Sequence, residues 1–136
     1  MYKIFLDTNI LVYLFDAANL EKQKKCREIL ANSSHTFVIS TQVLQEFFVV
    51  VTKKLGISPI LAKEIIKSFD AFEVATVDQE VILQAIDTSQ VSQISFWDAL
   101  SVSSAQRLSC DQLWTEDLQN GQKISGLEIV NPLLTS

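Results

Sequence analysis

The chain of 136 residues has one histidine, two cysteines, three glycines and two prolines. A single histidine, His35, excludes zinc sites of the HExxH or Cys/His type, which need several such ligands at set spacings. Cys26 and Cys110 lie far apart and outside any CxxC pattern, so they are predicted to be separate thiols in a reducing compartment. Scarce Gly and Pro beside 48% hydrophobic residues predict one compact, helix-rich domain over residues 1–136.

The net charge and the length of the apolar runs limit which functions and which cellular locations are expected for this chain. A formal charge of −5 argues against a broad non-specific nucleic-acid binder, which would usually be basic. It does not exclude a nuclease, because a bound metal offsets site acids locally. Met1 leads directly into an apolar strand, which predicts no signal peptide, and the longest apolar run, 10–15, is too short to span a bilayer. The expectation is a soluble cytoplasmic protein without membrane association.

Short apolar runs alternate with helical segments along the chain. The patterns predict strands at 3–7, 36–40, 73–77, 112–115 and 128–130, and helices at 10–15, 21–30, 41–56, 58–69, 78–91 and 95–108. Thr41 and Asp78 are predicted helix caps, and Ser58-Pro59 has the cap-then-proline pattern of a helix start. Strand–helix alternation of this kind predicts an α/β fold with a parallel sheet and helices on both faces.

Four acidic residues occur in or beside strongly apolar runs: Asp7, Glu46, Asp98 and Asp117, in KIFLDTNILVYLF, TQVLQEFFVVV, SFWDALSV and QLWTEDL. A carboxylate is costly to bury there unless something pairs with it. The predicted topology puts all four at the edge where the parallel strands have their carboxyl ends. Oxygen-only ligands suit Mg²⁺ or Mn²⁺, as one or two ions, and phosphodiester hydrolysis is a common use of such sites.

Two of these acids also have a structural interpretation as helix caps. Asp7, followed by Thr8 and Asn9, is typical of a cap, and as a metal ligand it would be supported by those two neighbours. Ser95-x-x-Asp98 resembles a capping box, in which the acid bonds back to the backbone. Sequence alone leaves both alternatives open.

The predicted roles of the other two acids, Glu46 and Asp117, depend on the residues beside them in the sequence. Glu46 has no wide polar helix face, so it is predicted either to bind metal or to form a buried ion pair with a distant cation. In the Thr115-Glu116-Asp117 segment we predict Asp117 as the site residue and Thr115 as a hydroxyl donor, although spacing does not decide between the two acids. Trp97, beside Asp98, is predicted to pack in the core or to shield the site.

A basic stretch on the second helix has two interpretations. Lys22, Lys24, Lys25 and Arg27 form either a solvated face, which is usual for a charge run, or a surface for RNA phosphates.

The chain resembles the PIN-domain family, and more narrowly its VapC-type toxins. The motifs that carry the resemblance are hydrophobic-Asp7-Thr8-Asn9, Ser40-x-x-Val43-Leu44-x-Glu46, Ser95-Phe96-x-Asp98-Ala99, and Thr115-Glu116-Asp117-Leu118-Gln119 with Gly121-Gln122. Their order and apolar context agree over nearly the whole chain.

The resemblance implies a three-layer α/β/α fold with a five-stranded parallel sheet and a Mg²⁺- or Mn²⁺-dependent endoribonuclease of a type II toxin–antitoxin pair. It implies that Asp7, Glu46, Asp98 and Asp117 form the catalytic metal site, supported by Asn9 and Thr115. It also implies an RNA substrate, a cognate antitoxin and a homodimer.

Two other functions compete with this one. A phosphatase with an aspartyl nucleophile, of the haloacid-dehalogenase type, would resemble hydrophobic-Asp-x-Asp-x-Thr on the first strand, but Asn9 holds the second Asp position and leaves no general acid. A non-catalytic PIN-like module would instead use its acidic edge to bind a basic protein partner. The class of RNA that an active enzyme would cut stays open.

Overall fold

The strands form a single sheet in the computed structural model, which describes residues 1–31 and 34–134. Its strands are β1 (Lys3–Leu6), β2 (Thr36–Ser40), β3 (Glu73–Ala75), β4 (Gln112–Trp114), β5 (Lys123–Ile124) and β6 (Leu127–Val130). They pair in the order β3-β2-β1-β4-β6-β5, and every pair is parallel except β5 with β6. The predicted parallel strands are all present.

Six α-helices connect and cover the strands. They are α1 (Thr8–Tyr13), α2 (Leu20–Ala31), α3 (Thr41–Lys53), α4 (Pro59–Lys67), α5 (Gln79–Ser92) and α6 (Phe96–Arg107), and a 3₁₀ turn (Ser68–Ala71) follows α4. None of the described helices is long and apolar enough to cross a membrane.

Connection handedness assigns the helices to the two faces of the sheet. The chain moves from β1 to β2 to β3 in one direction, and then returns past β1 to β4. Because parallel crossovers are right-handed, α1 to α4 cover one face and α5 and α6 cover the other. The β1 residues Ile4, Phe5 and Leu6 are fully buried between these layers, as expected for a central parallel strand.

Helix starts follow local capping chemistry, with one difference from the sequence prediction. Ser58 and Asp78 cap α4 and α5 as predicted, by accepting from the backbone N–H groups of Leu61 and Val81. The cap of α3 is Ser40 rather than the predicted Thr41. The Thr41 hydroxyl instead accepts from the Val77 N–H at 3.1 Å, which ties the start of α3 to the loop after β3.

Both cysteines are free thiols inside the protein, consistent with the sequence prediction. Burial raises the pKa of Cys26 to about 11 and that of Cys110 to about 12. They therefore stay protonated at neutral pH.

The sheet has six strands rather than the predicted five, because a short hairpin adds β5 at its edge. Ser125 and Gly126, which join β5 to β6, have φ angles of 49° and 86°. Two successive positive φ angles are the signature of a type I′ turn, whose twist matches that of antiparallel strands. The Ser-Gly pair is a recognised turn signal, so the sequence did contain the information.

We predict that Gly126→Ala lowers the free energy of unfolding by about 1 kcal/mol, because alanine is strained at this left-handed position. Ser125→Gly, the matched variant at the neighbouring position, is expected to change it by roughly 0.5 kcal/mol or less, since relief of strain offsets added flexibility of the unfolded chain. Urea denaturation of both variants measures the difference. Equal stabilities would contradict the turn assignment.

Candidate active site

The strand order places a cleft at the carboxyl ends of β1 and β4. These two strands are neighbours, but the next parallel strand lies on opposite sides of the pair: β2 beside β1, and β6 beside β4. In open α/β sheets such a switch point is where ligands bind. Asp7 follows β1 directly, and Thr115 follows β4 directly.

A pocket lies at this switch point and contains all four of the predicted carboxylates. Its lining residues are Asp7, Thr8, Asn9, Gln42, Glu46, Val50, Trp97, Asp98, Ser101 and Asp117. No described residue of this lining is a lysine, arginine or histidine. The topological expectation that the four acids meet at one edge of the sheet therefore agrees with the structure.

Asp7 is fixed by two hydrogen bonds at the end of β1. Its Oδ1 accepts from the Thr8 N–H at 2.8 Å, which caps α1. Its Oδ2 accepts from the Thr115 hydroxyl at 2.7 Å, which comes from the neighbouring strand. Helix capping and a place in the pocket, which the sequence left as alternatives, are thus both features of Asp7.

Thr115 connects the ends of the two strands. Besides donating to Asp7, its Oγ1 accepts from the backbone N–H of Asp117 at 3.1 Å. This second bond sets the course of the chain after β4, so that Asp117 faces the pocket. Thr115 is itself 2% exposed, which makes it a rigid support.

Glu46 reaches the pocket from α3 and is more exposed than its apolar sequence context suggested. The apolar residues beside it, Phe48 and Val49, are 37% and 46% exposed, so this part of α3 lies at the surface. The Thr8 hydroxyl donates to Glu46 Oε1 at 2.8 Å and fixes the carboxylate. A buried ion pair with an arginine is excluded, because Arg27 donates to the Leu14 carbonyl and Arg107 to Asp78.

Asp98 makes only half of the predicted capping box. The Ser95 hydroxyl accepts from the Asp98 N–H at 3.0 Å and caps α6. Within the described residues, no bond runs back from the Asp98 carboxylate to the Ser95 N–H. The carboxylate is therefore available to the pocket.

Glu116 is turned away from the pocket by a separate polar cluster. Its carboxylate accepts a hydrogen bond from the Tyr13 hydroxyl and pairs with Lys22 Nζ at 3.3 Å. Lys22 also donates to the Tyr13 hydroxyl at 3.0 Å. The two adjacent acids are thus separated: Glu116 binds α1 and α2, whereas Asp117 lines the pocket.

Most of the basic stretch on α2 is also engaged within the fold. Lys22 binds Glu116, Lys25 donates to the Leu133 carbonyl at 2.9 Å, and Arg27 donates to the Leu14 carbonyl. These contacts attach α2 to its neighbours, so the cations serve structure rather than presenting a continuous surface for phosphates.

Burial and mutual repulsion raise the pKa of two pocket acids. The pKa of Asp7 rises to about 6, chiefly because the carboxylate is enclosed by protein, and the charges of Asp117 and Glu46 add to the shift. The hydrogen bonds from Thr115 and Thr8 oppose it. The pKa of Asp117 is also raised, by desolvation first and then by Asp98 and Glu116. The pocket therefore disfavours its own ionised state.

The donor set fits a hydrated Mg²⁺ or Mn²⁺. Carboxylate, amide and hydroxyl oxygens line the pocket, and these are the ligands that such ions prefer. Among residues 1–31 and 34–134, no three His, Cys, Asp or Glu side chains converge on one point closely enough to enclose an ion.

Sequence reasoning missed two polar residues of the pocket and left two positions open for an aromatic one. Gln42 precedes Glu46 by one helical turn, and Ser101 follows Asp98 by three residues, so helical spacing alone puts each on the face of a predicted acid. Trp97 is 63% exposed and lines the pocket, so the structure favours the prediction that it shields the site over the alternative that it packs in the core. The core around α6 is filled instead by small residues such as Ala99 and Ala105.

Comparison with known families agrees with this geometry. The family model described as PIN domain matches residues 4–121. The chain belongs to the PIN-domain family. No curated protein sequence gives a significant match.

Solved structures share the PIN fold over nearly the whole chain. A toxin–antitoxin complex from Klebsiella pneumoniae has a TM-score of 0.72 at 20% identity, covering 95% of this chain and 97% of that one. The FitAcB structure from Neisseria gonorrhoeae has 0.69 at 16%, covering 97% and 99%. A sarcin–ricin-loop-cleaving VapC toxin of Mycobacterium tuberculosis has 0.66 at 20%, covering 84% and 91%. At these identities the likeness concerns the fold.

We predict that the metal-free protein becomes less stable as the pH rises from about 4 to about 6. Asp7 has a folded-state pKa of about 6 against 3.8 for an ordinary Asp, so over this range the unfolded chain holds fewer protons than the folded one. The loss is on the order of 2–3 kcal/mol and then levels off. Urea denaturation in the presence of a chelator measures it.

Asp7→Asn is the matched variant, since it keeps the size and polarity of the side chain but does not ionise. It is expected to flatten the stability profile between these pH values. An unchanged slope in this variant would show that the carboxylate of Asp7 is not its source.

Proposed function

We propose that this PIN-domain protein is a Mg²⁺- or Mn²⁺-dependent endoribonuclease that hydrolyses RNA phosphodiester bonds, and that it is the toxin of a type II toxin–antitoxin pair. The observation that carries the proposal is the lining of the switch-point pocket, where four carboxylates meet without a lysine, arginine or histidine among the described lining residues. Such a pocket repels anions on its own and attracts a divalent cation.

The proposed catalytic and metal-binding residues are Asp7, Glu46, Asp98 and Asp117, with Asn9, Thr8 and Thr115 in support. A bound divalent ion would lower the pKa of water and offset negative charge that develops on the phosphate. Asp7 and Glu46 are already oriented by hydroxyl groups of Thr115 and Thr8, so little reorganisation is needed on binding. The stoichiometry of Mn²⁺ binding, measured by calorimetry, would give the number of ions, one or two.

The residues of the chain would divide the chemical work by position. Asp7 and Asp117 lie on neighbouring strand ends, joined through Thr115, and are suited to hold an ion. Asp98 approaches from the opposite layer on α6, free of the capping bond that would have engaged its carboxylate. With no histidine or lysine among the described lining residues, a carboxylate is the available acceptor for the proton of an attacking water.

Protein partners are part of the proposal. Structures with this fold are described as toxin–antitoxin complexes, which supports a cognate antitoxin for this chain. Exposed apolar side chains on α3 and α4, including Phe48, Val49 and Ile60, are suited to an interface in a homodimer.

We predict that Asp98→Asn abolishes Mn²⁺ binding and RNA cleavage together. Calorimetry with MnCl₂ and cleavage of total RNA in the presence of Mg²⁺ or Mn²⁺ measure the two properties. Asp87→Asn is the matched control, because Asp87 is an exposed acid on α5 outside the pocket. RNA cleavage that persists in the Asp98 variant would contradict the proposal, and wild-type protein that binds a basic partner without metal but cuts no RNA would favour the non-catalytic module.

We further predict that Asp117→Asn weakens Mn²⁺ binding at least 10-fold, whereas Glu116→Gln changes it by about twofold or less. The physical reason is that Glu116 is held by Tyr13 and Lys22, outside the pocket. Calorimetry on the two variants gives the comparison. If the Glu116 variant lost more affinity than the Asp117 variant, the assignment of the adjacent acids would be reversed.

A further inference from the structure

A second cleft adjoins the carboxylate pocket, between the start of α3 and the start of α6. Gln42 and Trp97 line both cavities, so the two are adjacent. The walls of the second cleft are completed by Thr41, Gln45, Val77, Ile82, Phe96 and Leu100. No described residue of this lining carries a charge, in contrast to the four carboxylates next to it.

Trp97 presents a large aromatic surface to solvent at the junction of the two cavities. It is 63% exposed, whereas the other tryptophan, Trp114, is 7% exposed. Phe96 contacts it edge to face, with ring centroids 5.3 Å apart. An exposed indole is costly to leave in water, and this one lies where a substrate at the carboxylates would pass.

The cleft also holds an unused hydrogen-bonding group. The side-chain amide oxygen of Gln42 is buried and has no hydrogen-bond partner among the described residues. A buried polar atom in this state costs roughly 1–3 kcal/mol unless a ligand or water satisfies it. Gln45, one helical turn after Thr41 on α3, adds a second amide to the same wall.

An aromatic face beside amide groups, in a neutral cleft, is the chemistry that recognises an unpaired nucleobase. Bases stack on aromatic side chains, and their edges bond to polar side chains. A phosphate would find no cation in the described lining, so the base rather than the backbone suits this cleft. We propose that the Trp97 cleft binds one unpaired base of single-stranded RNA, next to the phosphodiester held at the carboxylates. The inference rests on the proposed ribonuclease function.

Steady-state cleavage of a single-stranded oligoribonucleotide by wild type, Trp97→Ala, Trp97→Leu and Trp97→Phe tests the proposal. We expect the alanine and leucine variants to lower kcat/KM roughly 10-fold or more, mainly through KM, because stacking is worth about 1–3 kcal/mol per base. The phenylalanine variant is expected to keep most of the activity. Mn²⁺ affinity should stay within about twofold of wild type in all three.

Val91→Ala is the matched control, since Val91 is an apolar side chain 85% exposed on α5 that lines neither cavity. It is expected to leave kcat/KM unchanged. Equal kcat/KM in wild type and Trp97→Leu would overturn the proposal. So would a parallel loss of Mn²⁺ affinity, which would make Trp97 a support of the carboxylate pocket.

Direct binding separates this proposal from the ribonuclease assignment. The probe is a fluorescently labelled pool of single-stranded RNA octamers, with duplex RNA of the same length as the comparison. Binding by wild type that is lost in Trp97→Leu, without any cleavage, would keep the base subsite and reject the ribonuclease. Cleavage and binding that are the same in wild type and Trp97→Leu would keep the ribonuclease and reject the subsite, and an absence of both activities in wild type would reject both.

Discussion

The carboxylate of Asp7, held between two neighbouring strands where the sheet reverses its winding, is the constraint on which the site depends. Burial opposes its ionisation, and the bonds from Thr8 and Thr115 only partly offset that cost. Those same bonds define the pocket. Thr115 also orients Asp117 through its backbone N–H, and Thr8 also orients Glu46 through its hydroxyl. A continuous chain of hydrogen bonds therefore joins β1, β4 and α3 around one acid.

The buried core of the fold stabilises the position of Asp7, whose own ionisation is opposed by burial. Ile4, Phe5 and Leu6, which precede Asp7, are fully buried, and α6, which brings Asp98 from the opposite layer, contains a run of buried and mostly small residues. Small side chains let a helix lie close to the strands, which shortens the reach that a carboxylate needs. Two serines of this run, Ser103 and Ser104, have buried hydroxyls without a hydrogen-bond partner among the described residues. These two unbonded hydroxyl groups lower the stability of the fold, because a buried polar group without a partner costs free energy.

The positions of site residues could be predicted from the sequence where the order of strands and helices determines them. They could not be predicted where contacts between distant parts of the chain determine them. Parallel strands share a carboxyl edge, so Asp7 and Asp117 were expected at the same edge of the sheet once the strands were recognised. Trp97 was predicted to lie in the core or to shield the site, and only the tertiary structure decides between them by placing it 63% exposed in the pocket lining. The choice between Glu116 and Asp117 depends on Tyr13, more than 100 positions earlier in the chain. No local pattern encodes a contact of that kind.

The carboxylate pocket is acidic and the adjacent Trp97 cleft is neutral, so the two would contact different parts of one nucleotide. In the proposed ribonuclease, the four carboxylates and a divalent ion would recognise a phosphodiester, which is the same in every nucleotide and carries no sequence information. A neutral cleft with an exposed indole and amides would contact the part of the nucleotide that differs. Gln42 lines both cavities and lies one helical turn before Glu46. Trp97 and Asp98 are adjacent residues of α6, so a base seated on Trp97 would fix the register of the backbone at the carboxylates through that helix.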